Sequence, residues 1–240
     1  MKSLEAFVSA LPKLLSVLPA TCLLFLAIVA FGILFGMLFA MIRLGKSKIA
    51  NGVIAVLISF ERGTPLLIQI LVVYFGLRAV FINGFHISGA AQWNAAYFAF
   101  FAYGLNLASF LCETFRGAYL AIDRGQIEAG LSIGMSRFQI FRKIILPQGA
   151  RIALPNMGNL LLDDFKAISL AFSIGVIELM GRGQGLANAA RGVGAIGIYG
   201  AVAVVYWIVC LLLDKFFHGL EWYLSKDIRV LGSENKTVVH

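Results

Sequence analysis

Apolar residues fill this chain in long blocks separated by short polar connections. A helix needs about 20 mostly apolar residues to cross a bilayer. Five runs reach that length: Leu14 to Ile42, Gly52 to Phe81, Trp93 to Phe115, Ile152 to Met180 and Ile196 to Phe217. The second is interrupted by Glu61-Arg62-Gly63-Thr64-Pro65. There Gly63 frees the backbone and Pro65 withdraws a donor, so the two residues are expected to form a break or pivot. The fourth run carries several polar residues, and the glycine-rich stretch from Gly181 to Gly194 reads as a flexible external loop. The pattern predicts an all-α integral membrane protein with about five transmembrane helices. It forms one membrane domain over residues 1–225 with a short cytoplasmic tail over 226–240.

Composition supports that class. The 240 residues are 60% hydrophobic and 13% charged, whereas soluble domains carry about 25% charged residues; the mean hydropathy is +0.88. The net charge of +8 could suggest nucleic acid. Most Lys and Arg, however, fall in Arg43 to Lys48, Arg116 to Arg151 and Lys215 to Lys236. These are alternate connections, as cytoplasmic loops require. The charge therefore records topology, with the N-terminus outside, the C-terminus in the cytoplasm and no nucleic acid as partner. Cys22, Cys112 and Cys210 lie inside apolar runs and read as small core or lipid-facing residues.

The longest polar stretch is an island from Glu128 to Pro147. Gln126 to Ser132 predicts one short helix, Gly134 a sharp turn, and Arg137 to Ile145 a second helix that Pro147 ends. The second helix sets Phe138, Phe141 and Ile145 against Arg137, Arg142 and Lys143. Such a cationic amphipathic helix fits two roles: a surface gripped by another protein, or a loop lying on lipid headgroups.

Ionisable residues at membrane depth cost several kcal/mol unless paired or watered. Asn106 and Glu113, seven residues apart, share a face of the third run. Asn156, Asn159, Asp163 and Lys166 form one polar stripe on the fourth, which Ser169 or Ser173 can extend. Asp163 and Lys166 are one turn apart and can pair, whereas Asp164 points elsewhere and needs its own partner or water. The stripe can line a polar path or act as interhelical glue at a subunit interface. Ala40 to Ser47 fits a relaxed phosphate-loop pattern, but no strand precedes it. With no nucleotide site, any energy source lies outside the chain. His86, His218 and His240 have no metal-binding spacing, and no catalytic triad is visible.

Glu128-Ala129-Gly130, Gly134, Ile144, Leu146 and Pro147 resemble, in order and spacing, the cytoplasmic signature of binding-protein-dependent ABC importer permeases. Arg62-Gly63-Thr64-Pro65-Leu66-Leu67, Glu113 with Phe115-Arg116-Gly117, Leu146-Pro147-Gln148, Gly158-Asn159 and Glu178-Leu179-Met180 resemble its polar amino-acid branch. The likeness runs from Ile42 to Met180. It departs at Gly130, where the family usually has Ala, and at Lys166-Ala167-Ile168-Ser169-Leu170, where the branch commonly reads Lys-Asp-Thr-Ser-Leu. Asp163 and Asp164 stand where the branch is usually apolar.

The resemblance implies a type I ABC importer permease fold in the bacterial inner membrane. It implies an ATPase subunit dimer, a second permease subunit (identical or sister) and an external amino-acid-binding protein as partners. The chain itself would bind no cofactor, and ATP and Mg would belong to the ATPase. The loop over about 119–150 would hold the coupling helix. Its site would comprise Glu128, Ala129, Gly130, Gly134, Arg137, Phe138, Leu146 and Pro147, with Gly134 setting the angle between the short helices and Glu128 anchoring or capping the first. Asn106, Glu113, Asn159, Asp163, Lys166 and Ser169 would line the substrate path, and the altered Lys166–Leu170 segment could suit a disulfide-linked ligand such as cystine. The competing reading is an ion-coupled secondary amino-acid transporter, with the Asp163/Lys166 stripe as relay.

Overall fold

A computed structural model describes residues 2–234, with side chains placed through Leu224 except for Ser88. The described residues contain helices and turns and no strand. The chain begins in α1 (Lys2–Leu15), an amphipathic helix ahead of the first expected run. Ala10 and Leu14 on its apolar face pack into a cluster with Leu179, Ala187, Ile198, Val202 and Val205.

The first long helix, α2 (Leu18–Leu44), lies against α5 (Ala95–Leu120). Gly32 and Gly36 set that packing distance. A Cβ on Gly32 would stand 2.7 Å from the Leu107 side chain, and one on Gly36 would stand 2.8 Å from Leu111. The small-xxx-small step therefore brings two backbones together, as such steps do in membrane helices.

The second run is two helices, as the polar interruption predicts. Ser47 caps α3 (Lys48–Gly63), accepting from the Ala50 amide at 3.3 Å. Thr64 is then extended at φ −118°, ψ 147°, the conformation a following proline imposes. The chain restarts as α4 (Leu66–Val72) and continues through two π turns, Val73–Leu77 and Val80–Gly84.

The island holds α6 (Arg124–Ser132) and α7 (Arg137–Ile140). Pro147 does not end the second helix. The chain runs from α7 through a π turn, Phe141–Ile145, directly into α8 (Leu146–Ala167). The Leu146 amide donates to the Phe141 carbonyl five residues back, and Pro147 enters in the first turn of α8, where a missing donor is tolerated.

Among the described residues, four helical segments are long and apolar enough to cross a membrane by themselves: Leu18–Leu44, Leu66–Gly84, Ala95–Leu120 and Ala195–Leu224. The fourth expected run falls outside that set because α8 carries the polar stripe. At 22 residues it is still about 33 Å long, and it packs between α5 and α10 (Ala195–Glu234). Phe165 in its last turn meets Phe25 of α2 and Tyr206 of α10 edge-on, at 5.2 and 5.7 Å between ring centroids.

The expected Gly181–Gly194 loop is mostly a helix, α9 (Leu179–Ala189). Glu178 caps it, its carboxylate accepting from the amides of Met180 and Gly181 at 2.7 Å each and from the Tyr206 hydroxyl at 2.8 Å. Burial of Leu179 and Ala187 against α1 and α10 completes the reason why three glycines do not prevent it. Only the turn after Ala189 behaves as a loop. Helix α10 continues to Glu234, so the expected tail over 226–240 begins inside it, and residues 235–240 lie outside the described residues.

Candidate functional site

The island is a preformed, partly apolar surface. Asp123 opens α6 by accepting from the Gly125 amide at 2.8 Å. The first helix is thus capped by Asp123; Glu128, expected to anchor or cap it, stands exposed one turn further on. The helix closes when Gly134 adopts φ +81° and the Met135 amide reaches back to the Gly130 carbonyl at 3.0 Å. This six-to-one closure needs a left-handed residue, which glycine supplies without strain. Ser136 then starts α7 with a capping box: its hydroxyl accepts from the Gln139 amide and its amide donates to the Gln139 side chain.

Gly130 is the seam between the two short helices. A Cβ there would lie 3.2 Å from both Ile140 and Ile144, so the usual Ala would force those side chains to yield slightly. Ile140 turns inward, whereas Leu131, Ile133, Phe138 and Phe141 face outward. Ile133 is 79% exposed and Phe138 69% exposed. Ala129, Arg137, Leu146 and Pro147 are also exposed, so the expected coupling residues lie at the surface, apart from the buried Gly130.

The expected substrate-path residues divide into two places. Near the middle of α5, Asn106 donates to the Gln69 side-chain oxygen at 2.9 Å and to the Glu61 carbonyl at 3.2 Å. Gln69 in turn donates to the Glu61 carbonyl at 2.7 Å and to Thr64. Two amides, Gln69 buried and Asn106 half-buried, therefore stitch the Gly63–Pro65 break to α5. Asn106, Asp163 and Asp164 line one cleft of about 190 Å³, together with Leu66, Leu107, Phe110, Leu160 and Ala167.

Glu113 does not join that cleft. It accepts two hydrogen bonds from Arg116, at 2.7 and 3.0 Å, and faces Arg43 of α2 at 3.7 Å. It ties the ends of α2 and α5 together near the island. On α8, Asn159, Asp163 and Lys166 are exposed in one row, and the Lys166 ammonium meets the Asp163 carboxylate at 3.0 Å. Asn156 donates to the Thr114 hydroxyl of α5 at 2.7 Å. Ser169 and Ser173 turn back to the carbonyls of Lys166 and Leu170, so neither extends the stripe with a free hydroxyl.

Sequence reasoning passed over Gln69 and the Ser136–Gln139 box. Both carried signals. A lone Gln four residues after Pro65 in an apolar run must find partners when buried, and S-x-x-Q is a capping pattern.

Residues 32–221 match the family described as "Binding-protein-dependent transport system inner membrane component". The chain belongs to that family. It is 36% identical over 216 residues to the L-cystine transport system permease protein TcyL of Bacillus subtilis, covering 90% of this chain and 89% of the relative. It is 37% identical over 190 residues to the glutamine transport system permease protein GlnP of Escherichia coli, covering 79% and 83%. Among solved structures, that of an amino acid ABC transporter with histidines aligns at a TM-score of 0.77 and 26% identity, over 91% of this chain and 97% of the other. The inward-facing methionine transporter MetNI aligns at 0.67 and 20% identity, over 88% and 95%, a likeness of fold alone. The chain is thus a multi-pass permease of the type I ABC importer fold, a transport component of the inner membrane rather than an enzyme. Its family sets two classes of partner, an ATPase and a substrate-binding protein.

Proposed function

We propose that this chain carries a polar amino acid, L-cystine being one candidate, from an external binding protein into the cytoplasm. The relatives named for L-cystine and glutamine transport support the cargo class. The N-terminus and the far end of the bundle face outward, and the island and α10's end face the cytoplasm. This chain binds no cofactor; ATP and Mg sit on two separate ATPase subunits. A second permease, identical or sister, completes the path.

The observation that carries the mechanism is continuity. Phe138 on the exposed island and Asp163 and Lys166 on the polar stripe belong to one unbroken helical course from Arg137 to Ala167. Glu128, Ala129, Gly130, Gly134, Arg137, Phe138, Leu146 and Pro147 form the seat for the ATPase. Leu131 and Ile133 add to its apolar part. ATPases that hold the two permease states with different affinity shift the equilibrium between them; contact alone would move nothing. Movement of the seat is passed along α8 to the stripe, and the Gly63–Pro65 break lets the lower half of the second run move relative to α4.

Asn106, Asn159, Asp163 and Lys166 line the path. A charged pair whose acid is 75% exposed in the single chain faces water or a protein neighbour, since lipid would cost several kcal/mol. Glu113 acts as a brace for the path's inner end and Ser169 shapes its own helix. Family membership supports ATP rather than an ion gradient as the driver. The test is uptake into vesicles holding this chain, its permease partner, the ATPase and the binding protein. Uptake that needs ATP and the binding protein supports the reading; uptake driven by an ion gradient alone contradicts it.

A further inference from the structure

The mid-depth cleft holds a carboxylate that has no partner. Asp164 is 7% exposed, lines the cleft, and its Oδ2 is fully shielded without a hydrogen bond. Behind Asn106, which shares the cleft wall, Glu61 is equally buried and its Oε2 is also unpaired. The nearby cations contact other residues of the cleft wall and leave Asp164 without a partner. Lys166 pairs with Asp163, and the Arg62 guanidinium lies over the Phe110 ring at 5.4 Å from its centroid. The Asn106 amide nitrogen is spent on Gln69 and Glu61, so the groups left to a guest in this cleft are acceptors.

A buried carboxylate without a donor, with a second carboxylate and an amide on the same cleft wall, forms a site for a cation rich in N–H groups. Burying a carboxylate unpaired is among the most destabilising arrangements in a protein, and an apolar residue of similar volume would remove the cost.

Resting on the proposed amino-acid permease function, we infer that Asp164 is the group that receives the cargo's ammonium during passage. The Asn106 carbonyl oxygen and Asp163 form the rest of its rim. The apolar wall of Leu66, Leu107, Phe110 and Leu160 takes the aliphatic part. Asp164 thereby selects for cargo that carries a primary ammonium, at a point the external binding protein does not control.

The test uses the purified permease–ATPase complex and two pairs of probes at millimolar concentration: L-cystine against dithiodipropionic acid, and L-glutamine against glutaramic acid. Each second member lacks only the amino groups. In the wild type at least one amino acid should raise the melting temperature of the complex more than its deaminated counterpart does. Asp164→Asn should abolish that difference and lower uptake about tenfold or more, the effect of one charge-assisted hydrogen bond. ATP hydrolysis stimulated by the binding protein should persist. Asp164→Leu adds a second reading: relieved of a buried charge, the complex should melt higher while uptake is lost. A purely structural Asp164 would give the opposite, a lower melting temperature. Equal shifts from both members of each pair in the wild type, unchanged uptake in Asp164→Asn, or a shift produced by sodium chloride alone would each overturn the inference. A wild-type complex that imports amino acids yet shows one of these results sinks only the ammonium site. One that imports no amino acid sinks the function itself.

Discussion

Individual side chains in this protein act mainly as fasteners at places where the backbone leaves regular structure. Gln69 is the densest example, since its amide nitrogen donates to the Glu61 carbonyl and to Thr64 while its oxygen accepts from Asn106. Gln69→Leu keeps the volume, leaves the Glu61 carbonyl to Asn106 alone and strips Thr64 and one Asn106 N–H of their partner, at about 1–3 kcal/mol. The expected outcome is a lower melting temperature in detergent, together with slower uptake because the pivot is no longer tied to α5. An unchanged melting temperature would mean that water replaces the amide, and that the break is not held by this network. Asp123→Ala should cost α6 about 1 kcal/mol, the usual loss of a cap. Hydrogen exchange in α6 should rise, while α5 stays protected.

At the scale of elements, the joint between α7 and α8 matters most. The π turn over Phe141–Ile145 adds a residue to what is otherwise one helix. That extra residue sets the rotation of the polar stripe relative to the docking surface. Deleting Lys143 should restore a regular helix and rotate one end against the other by about 100°, one residue's turn. ATPase capture by the purified chain is then expected to survive, with uptake lost; normal uptake would show that the two faces are not mechanically linked. The hydrophobic pattern made the long apolar helices and the break at Gly63–Pro65 legible, because length and Pro–Gly chemistry are local signals. It misjudged the joint, because Pro147 stops a helix only when the turn before it is an ordinary α turn. It misjudged α9 for a different reason: the acid cap Glu178 and the burial of Leu179 and Ala187 are tertiary facts that glycine content conceals. The polar stripe was legible from its spacing. The separation of Glu113 from Asn106 was not, because Arg43 reaches it from another helix.

For the whole molecule, the packing of α2 on α5 fixes the frame against which the rest moves. Gly36→Leu would drive a side chain into Leu111 and the Ala108 carbonyl, and overpacking of this kind costs about 1–3 kcal/mol. The variant is expected to give less folded permease in the membrane, judged by its elution with the ATPase. The central claim is that the island passes work from ATP hydrolysis to a path in α8. Gly134→Val tests it most directly, since a β-branched residue at φ +81° is strained and must change the angle between α6 and α7. The measurement is the number of cargo molecules imported per ATP hydrolysed in reconstituted vesicles. This ratio should collapse in Gly134→Val while the protein remains in the membrane and hydrolysis continues. A ratio equal to that of the wild type, in a variant shown to be inserted and bound to its ATPase, would contradict the central claim.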